Sequence, residues 1–331
     1  MIIIKVCYND NQEDIDMKNE LENIYHSRVN NLNFLLVDII YRKPHLHFDL
    51  EISFILEGSG FVKTQGNMYE IKTGQAIIFN SCQTHELLSD KSLKMLVLQI
   101  NTTILDNIFP TLNRIIFEAK PFNLADSSEL FYFMLQSAIN YFEESTTSPL
   151  KIFGYTSLML DRLISTHNHK TLNITQQNKQ IDLQERILRI SSYIYENYTT
   201  KITLEDLAHR EGFSRTYFSH FFKNNFGITF KEYLENLRCE KAKLLLSSTS
   251  ESLLSVCYDS GFSDTRTLNN SFMKSYGISP KEYRKNTFPT LVSSQVPFNQ
   301  DEIDNQRIYN SQESLEQLSY LFKEKFDTFT L

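Results

Sequence analysis

Leu-Ala-His-Arg-Glu-Gly-Phe-Ser at 207–214 and Val-Cys-Tyr-Asp-Ser-Gly-Phe-Ser at 256–263 are one unit written twice. Each runs into an aromatic-rich segment that closes on a near-identical heptad, Gly-Ile-Thr-Phe-Lys-Glu-Tyr (227–233) and Gly-Ile-Ser-Pro-Lys-Glu-Tyr (277–283). The offset is 49 residues up to the Ser of Gly-Phe-Ser and 50 afterwards, so one residue is inserted between two aligned halves. Repeats of this length can build solenoids, but two copies do not make one, and each copy carries the chemistry of two helices around a tight turn.

In the first copy Thr203, with Asp206 three residues on, predicts an N-cap and a short helix over 204–211. Gly212 supplies the left-handed residue of the turn. Ser214 then caps a helix over 215–223. Phe218, Phe221 and Phe222 share one face of it, while Thr216, Ser219, His220 and Lys223 share another that is polar and rich in hydrogen-bonding groups. In the second copy Leu253, Val256 and Cys257 pack the first helix and Gly261 turns the chain. Leu268, Ser271 and Phe272 point inward, and Arg266, Asn269, Asn270 and Met273 take the outward positions. Arg can bond guanine bidentately and Asn can do so with adenine, each worth roughly 1–3 kcal/mol of base discrimination. A helical bundle with merely solvated polar faces is the alternative for one copy; two copies with aligned glycines and aligned outward faces favour a tandem of DNA-reading units. Between them 230–247 predicts one long helix, a rigid spacer able to set two reading helices about one DNA turn, roughly 34 Å, apart.

The connector pattern Tyr-Leu-x₃-Arg-x₃-Ala-x₂-Leu-Leu (Tyr233, Leu234, Arg238, Ala242, Leu245, Leu246), the Gly-Phe-Ser turns and Gly-Ile-Ser-Pro-Lys-Glu-Tyr-Arg (277–284) resemble the DNA-binding domain of the AraC/XylS transcriptional regulators over about 100 residues. The resemblance implies a first reading helix with Arg215, Thr216, Ser219, His220 and Lys223, and a second with Thr265, Arg266, Thr267, Asn269 and Asn270. The chain departs from the pattern at Thr267-Leu268, where Tyr-Phe is more usual, and at Met273, where Lys is common.

Ahead of this lies a different grammar. Apolar or alternating runs at 33–40, 51–56, 60–63, 76–79 and 94–100, broken by Glu-Gly-Ser-Gly, Gln-Gly-Asn and Lys-Thr-Gly, predict short strands of a barrel or jelly roll. Within it His-x-His-x₃-Glu-x₆-Gly (45–58) and Gly74-x₁₀-His85 are similar to the two cupin signatures, with Asn80 where Pro is usual and Cys82 where Gly is usual. His45 and His47, as alternate residues of one strand, share a face that Glu51 and His85 could join. Three imidazoles and a carboxylate suit a divalent transition metal. The resemblance instead implies a metal-free pocket for a small effector, commonly a sugar; Tyr41, Arg42 and Glu86 are further pocket candidates by their adjacency in the sequence. No nucleophile–base pair or second carboxylate suggests catalysis, and the expectation is no enzyme and no cofactor.

The fold class expected is α+β and multidomain. A cupin-like barrel occupies 1–120, a helical dimerisation or packing segment 121–168 and a polar linker 169–182. An all-α domain of two helix–turn–helix units joined by a long helix follows at 183–288, then a tail with an amphipathic helix at 289–331. His167 and His169 read as solvated residues rather than metal ligands. Net charge −7 and a pI of about 5.7 exclude a generally basic coat protein, yet 181–290 holds 15 Lys/Arg against 13 Asp/Glu, so the acid lies elsewhere. Four scattered cysteines without a CxxC pair argue against structural zinc or disulfides. No basic leader with an apolar core opens the sequence and no run of 18 apolar residues occurs, so a cytoplasmic location without a membrane is expected. Together these give a sequence-specific regulator, an activator, working as a homodimer on promoter DNA with RNA polymerase as partner and a small molecule in the barrel. The competing readings are a metal-binding cupin enzyme joined to a DNA-binding domain, and a regulator governed by a protein partner through the Leu/Phe-bearing tail.

Overall fold

In the computed structural model residues 29–143, 149–285 and 306–326 are described. Strands β1 (Leu32–His45), β2 (Leu50–Glu57), β3 (Ser59–Thr64), β4 (Asn67–Lys72), β5 (Gln75–Phe79), β6 (His85–Ile100), β8 (Phe122–Asn123) and β10 (Gln306–Ile308) form one sheet. Its order is β10-β1-β6-β2-β5-β8, with β3 bridging β6 and β4, and every pairing is antiparallel. The period-2 pattern decides which residues go where. Leu32, Phe34, Leu36, Ile52, Phe54, Leu96 and Leu98 face outward into a helical layer. Val37, Ile39, Ile55, Ile77, Met95 and Val97 face the inside of the curl, with Val62 and Ile71 from the β3–β4 hairpin. Glu51 and Ser53 fall on the parity of Ile55, so the same pattern carries two polar residues into the interior.

Helices α1 (Ser128–Phe142) and α2 (Pro149–Thr166) cover the outer face, with Leu130, Met134, Leu135, Met159 and Leu163 almost fully buried against it. Ser137 and Thr156 bond across their contact at 2.7 Å. The tail returns to this layer: β10 pairs Ile308 with Val37, and α9 (Ser311–Phe326) lays Leu318 into the same core beside Leu315, Leu321, Phe322 and Phe326. Of the apolar stripe, Leu318 is buried against α1 and the sheet, while Leu315, Leu321, Phe322 and Phe326 pack there half-buried.

The expected linker at 169–182 is corrected. β9 (His169–Thr171) pairs with β7 (Ile115–Phe117), and α3 (Ile174–Asn197) begins at once from Asn173, whose side chain forms a reciprocal capping box with Gln176. Its first turns are polar and look structureless in sequence. Leu183, Ile187, Ile190 and Ile194 then give it a stripe at helical spacing, and this stripe roots it in the next core. His167 is likewise no solvated linker residue: its ring lies within 3.0 Å of the Glu118 carbonyl and 4.4 Å from the Phe122 ring. No helix among the described residues is long and apolar enough to cross a membrane.

Candidate nucleic-acid interface and barrel cluster

The first unit is α4 (Leu204–Arg210) and α5 (Arg215–Phe226). Thr203 accepts from Asp206 N while the Asp206 carboxylate accepts from Thr203 N, so the predicted cap is a full capping box. Ser214 Oγ accepts from Tyr217 N and starts α5. Phe218, Phe222 and Phe226 are fully buried. Phe222 stacks on Phe226 at 4.1 Å and meets Tyr233 edge-on, so an aromatic column anchors the helix from beneath. Arg215, Thr216, Ser219, His220 and Lys223 are all exposed on the opposite side. His220 opens into a cleft of about 510 Å³ shared with Tyr217 and with Lys179, Asp182 and Arg186 of α3.

The second unit is α7 (Leu253–Asp259) and α8 (Thr265–Tyr276), joined to the first by α6 (Phe230–Ser248). Asp264 caps α8 by accepting from Thr267 N at 2.8 Å. Its core is smaller and mostly aliphatic: Ala242, Leu246, Val256, Cys257 and Leu268 around Phe262 and Phe272. Arg266 and Asn270 are exposed. Two of the predicted reading residues are otherwise engaged. Asn269 donates Nδ2 to the Thr265 carbonyl at 2.7 Å, and Thr267 Oγ1 donates to Asp264 at 2.9 Å. Such bonds to a residue's own helix cannot be read from spacing, and they leave Arg266 and Asn270 as the long donors of the second face.

Arg238 of the connector ties the units together. Its Nε donates to the Tyr198 carbonyl and its Nη2 to the Thr200 carbonyl, both at 2.8 Å, closing carbonyls at the end of α3. Gly261, the turn of the second unit, lies against that same place. A Cβ there would stand 2.6 Å from Thr199 Cα and 3.0 Å from Arg238 Nε.

Inside the sheet the predicted histidines do converge, although not as alternate residues of one strand. His45 ends β1 opposite His85 of β6, whereas His47 lies beyond β1 in the turn into β2. The rings of His45 and His85 are 4.1 Å apart, those of His47 and His85 5.3 Å, and Phe79 stacks on His85 at 3.9 Å. Glu51 sits at the centre. Its Oε2 lies 2.9 Å from His47 Nε2 and accepts from Gln99; its Oε1 accepts from Ser53 at 2.8 Å and lies 3.7 Å from His85 Nε2. All four residues are 4% exposed or less, so this is an interior site. Burial pushes the Glu51 carboxyl up, but the His47 bond, the charges of His85 and His47 and the Ser53 bond outweigh it and hold the group at about 2. Burial, then His85 and Arg42, hold His45 well below the ordinary imidazole value. Arg42 is buried beside the cluster, and Tyr41 reaches Glu86 at 3.4 Å. Burial raises the Cys82 and Cys239 thiols to about 12 and also raises Cys257, so none of the three offers a thiolate at neutral pH.

Each of the three imidazoles turns Nδ1 to a main-chain carbonyl two residues away, Lys43, Asp49 and Gln83, at 2.9–3.0 Å. A carbonyl only accepts, so Nδ1 of each ring carries a proton. His47 Nε2, against the ionised Glu51 carboxylate, carries one as well and would give it up to bind a metal, with Nδ1–H on its carbonyl keeping each ring oriented as in histidine ligands. Ligand atoms of His47, Glu51 and His85 lie within 4.8 Å of one another. Metal–ligand bonds near 2.0–2.2 Å place neighbouring ligand atoms about 3–3.5 Å apart, so the donor set has the chemistry for such an ion and would draw in slightly to hold it.

Residues 207–286 match the helix-turn-helix domain family and residues 41–99 the cupin domain family. The raffinose operon transcriptional regulatory protein RafR of Pediococcus pentosaceus is 34% identical over 108 residues, 33% of this chain and 39% of RafR. An uncharacterised HTH-type transcriptional regulator of Staphylococcus aureus (strain COL) is 22% identical over 297 residues, 83% of this chain and 36% of that protein. The C-terminal domain of the two-component response regulator yesN from Fusobacterium nucleatum is 40% identical, with a TM-score of 0.30, over 30% of this chain and 98% of that domain. The chain thus spans well under half the length of the two curated regulators.

Proposed function

We propose that this chain, of AraC type with a double helix–turn–helix behind a cupin domain, is a sequence-specific DNA-binding transcriptional regulator whose barrel senses a small ligand. The observation that carries the reading is the pair of exposed polar faces on α5 and α8, each set by an equivalent cap and turn and backed by its own buried core. Arg266 and Asn270 select bases on one side; Thr216, Ser219 and His220 make shorter contacts on the other, with Arg215 and Lys223 placed for phosphate. Action on promoter DNA as an activator, contact with RNA polymerase, assembly as a homodimer and a cytoplasmic location follow from the family likeness. No catalytic role is assigned to the barrel.

The test is selection of bound duplexes from a random library, followed by footprinting. Two unequal half-sites per chain are expected, with Arg266→Ala losing selection at particular base pairs. Uniform weakening across unrelated duplexes would place these side chains on phosphate instead and remove the claim of sequence reading.

For a ligand at the histidine cluster itself, one observation favours an ion over a sugar. The cavity beside Arg42, His45, Glu51 and Gln99 is about 50 Å³, against roughly 300–1,000 Å³ for ordinary small-molecule pockets. His47, Glu51 and His85 would hold a divalent transition metal, which would supply a fixed charge at the centre of the barrel. Elemental analysis of the purified protein, with DNA binding measured before and after chelation, decides it. Stoichiometric metal whose removal alters binding supports the ion, and a metal-free protein indifferent to chelator removes it.

A further inference from the structure

The loops that carry the histidines do not end at the barrel. Between His45 and His47 stands Leu46, which is fully buried in the core of the first helix–turn–helix unit, among Phe222, Phe226 and Tyr233. Before His85 stands Thr84, whose Oγ1 donates to the Asn225 carbonyl at 2.7 Å, at the last turn of α5. Gly227, the left-handed cap of α5, lies so close that a Cβ would stand 2.9 Å from Thr84 Cγ2 and 3.2 Å from Pro44 Cβ. The two loops are themselves tied, since Cys82 N donates to the His47 carbonyl at 2.8 Å.

The two positions where the chain departs from the cupin pattern fall in this joint. Cys82 stands where the cupin signature has glycine, and its φ of +59 is a left-handed value that disfavours any side chain. Its side chain packs against the first unit's core. Asn80 replaces a proline and bonds the Phe117 main chain in both directions, at 2.9 and 2.8 Å. Phe117 belongs to β7, which pairs with the β9 strand leading into α3.

Among the described residues the second unit shows no such attachment. At Gly277, its equivalent of Gly227 with nearly the same φ, a Cβ would meet nothing within 4 Å. Its links run to the first unit through α6, Arg238 and Gly261.

We infer that the loops bearing His45, His47 and His85 form a clamp on the C-terminal end of α5, so that the state of the buried histidine–glutamate cluster is transmitted to the first reading helix and not directly to the second. The inference rests on the reading of the barrel as a sensor. Residues 46 and 84 alternate along the chain with 45, 47 and 85, so a shift that moves the imidazoles moves the clamp, and a left-handed Cys82 leaves little slack between them. The clamp holds the end of α5 and leaves its outward face open; it sets the pose of that helix without masking it.

Hydrogen exchange on the full chain, without DNA, tests this. Glu51→Gln keeps the shape of the cluster and removes its charge. It is expected to speed exchange of amides 224–228 about fivefold or more, the low end of measured coupling between sites, and to leave amides 274–278 unchanged. In a Cys82→Gly, Thr84→Val background the same Glu51→Gln change is expected to have no effect at 224–228. Equal acceleration at both segments, acceleration at neither, or an effect that survives opening of the clamp would overturn the inference. If Glu51→Gln unfolds the barrel, seen as loss of protection along β2 and β6, Ser53→Ala perturbs the same carboxylate more gently and is read by the same criteria. Failure to bind any selected duplex would defeat the regulator reading while leaving this exchange result to decide the coupling.

Discussion

The two helix–turn–helix units share a backbone and almost nothing else. Both begin their reading helix at an oxygen-bearing cap, Ser214 or Asp264, and both close it on a left-handed glycine, Gly227 or Gly277. Beneath α5 lies an aromatic column joined by Leu46 of the barrel; beneath α8 lies a smaller core of aliphatic residues and Cys239 and Cys257 around Phe262 and Phe272. The residues that fix φ and satisfy helix ends are repeated, while those that decide what each unit touches have diverged. Duplication has kept the geometry of reading and separated its control.

The largest effect expected from that contrast is on stability. Phe222→Ala and Phe272→Ala each remove a fully buried ring, a change that costs about 3–5 kcal/mol. Phe222 shares its core with Leu46, so its loss is expected to weaken the barrel–helix joint as well, whereas Phe272→Ala should melt the second unit while the barrel and first unit stay folded. Segment-resolved hydrogen exchange through a denaturant series separates the outcomes. Collapse of all parts together in both variants would mean that the units are not independently held.

The turn glycines sharpen the comparison at lower cost. Gly212 and Gly261 have similar positive φ, +71 and +86, so alanine carries the same left-handed penalty of about 1–2 kcal/mol at either. Around Gly212 there is open space, but a Cβ at Gly261 would meet the backbone of Tyr198 and Thr199 at under 3 Å. Gly261→Ala is expected to be the more destabilising by about 1–3 kcal/mol, the ordinary range for overpacking. Equal thermal shifts for the two variants would remove the claim that the second unit is docked on the end of α3.

Much of this architecture is legible in the sequence, and the parts that are not have a physical cause. The caps, turn glycines and long connector of the helical domain are set by residues within a few positions of one another, and all stand where the periodicity puts them. The strands ahead of residue 100 follow from alternation only in part. β1 and β6 run on to His45 and back to His85, well past the expected 33–40 and 94–100, and β4, whose Asn-Met-Tyr-Glu-Ile-Lys shows only one buried side chain, is not among the expected strands. The start of α3 reads as a linker because its first turns are polar and its stripe begins only at Leu183. The pairing of β10 with β1 joins residues some 270 positions apart, a contact that no local pattern encodes. Of the barrel site, His45, His47, Glu51 and His85 are legible from signature spacing. Asn80 and Cys82 show in the sequence only as departures, and what they hold depends on Phe117 and α5, which lie far from them along the chain.

On the reading faces the contrast is one of donors. Arg266→Ala is expected to relax selection at its base pair by roughly 1–3 kcal/mol, about 5- to 150-fold, because a bidentate donor is lost. His220→Ala should give a smaller loss within the other half-site, since a single ring nitrogen reaches fewer acceptors. Competition binding against single-base variants of the selected duplex measures both. If His220→Ala proved the larger, the second unit would not be the sharper reader.

The smallest expected difference lies at the helix caps, and it is one of pH. Ser214 does not titrate, whereas Asp264 holds the start of α8 with its charge, bonded to Thr267 N and Oγ1 and to Ser263 Oγ. Those bonds, led by the main-chain one from Thr267, lower the Asp264 pKa below its ordinary value. A carboxyl whose folded pKa is depressed contributes stability that is present in full above its unfolded value, near 3.9, and is lost as pH falls through the folded value. The amide of Thr267 should therefore lose its capped chemical shift in acid below about pH 4, while that of Tyr217, held by a hydroxyl, keeps its own until the domain unfolds. Asp264→Ser would give the second cap the chemistry of the first, and the two amides should then respond to acid alike. A Thr267 shift that still titrated in that variant would show that the pH response comes from elsewhere in the helix and not from its cap.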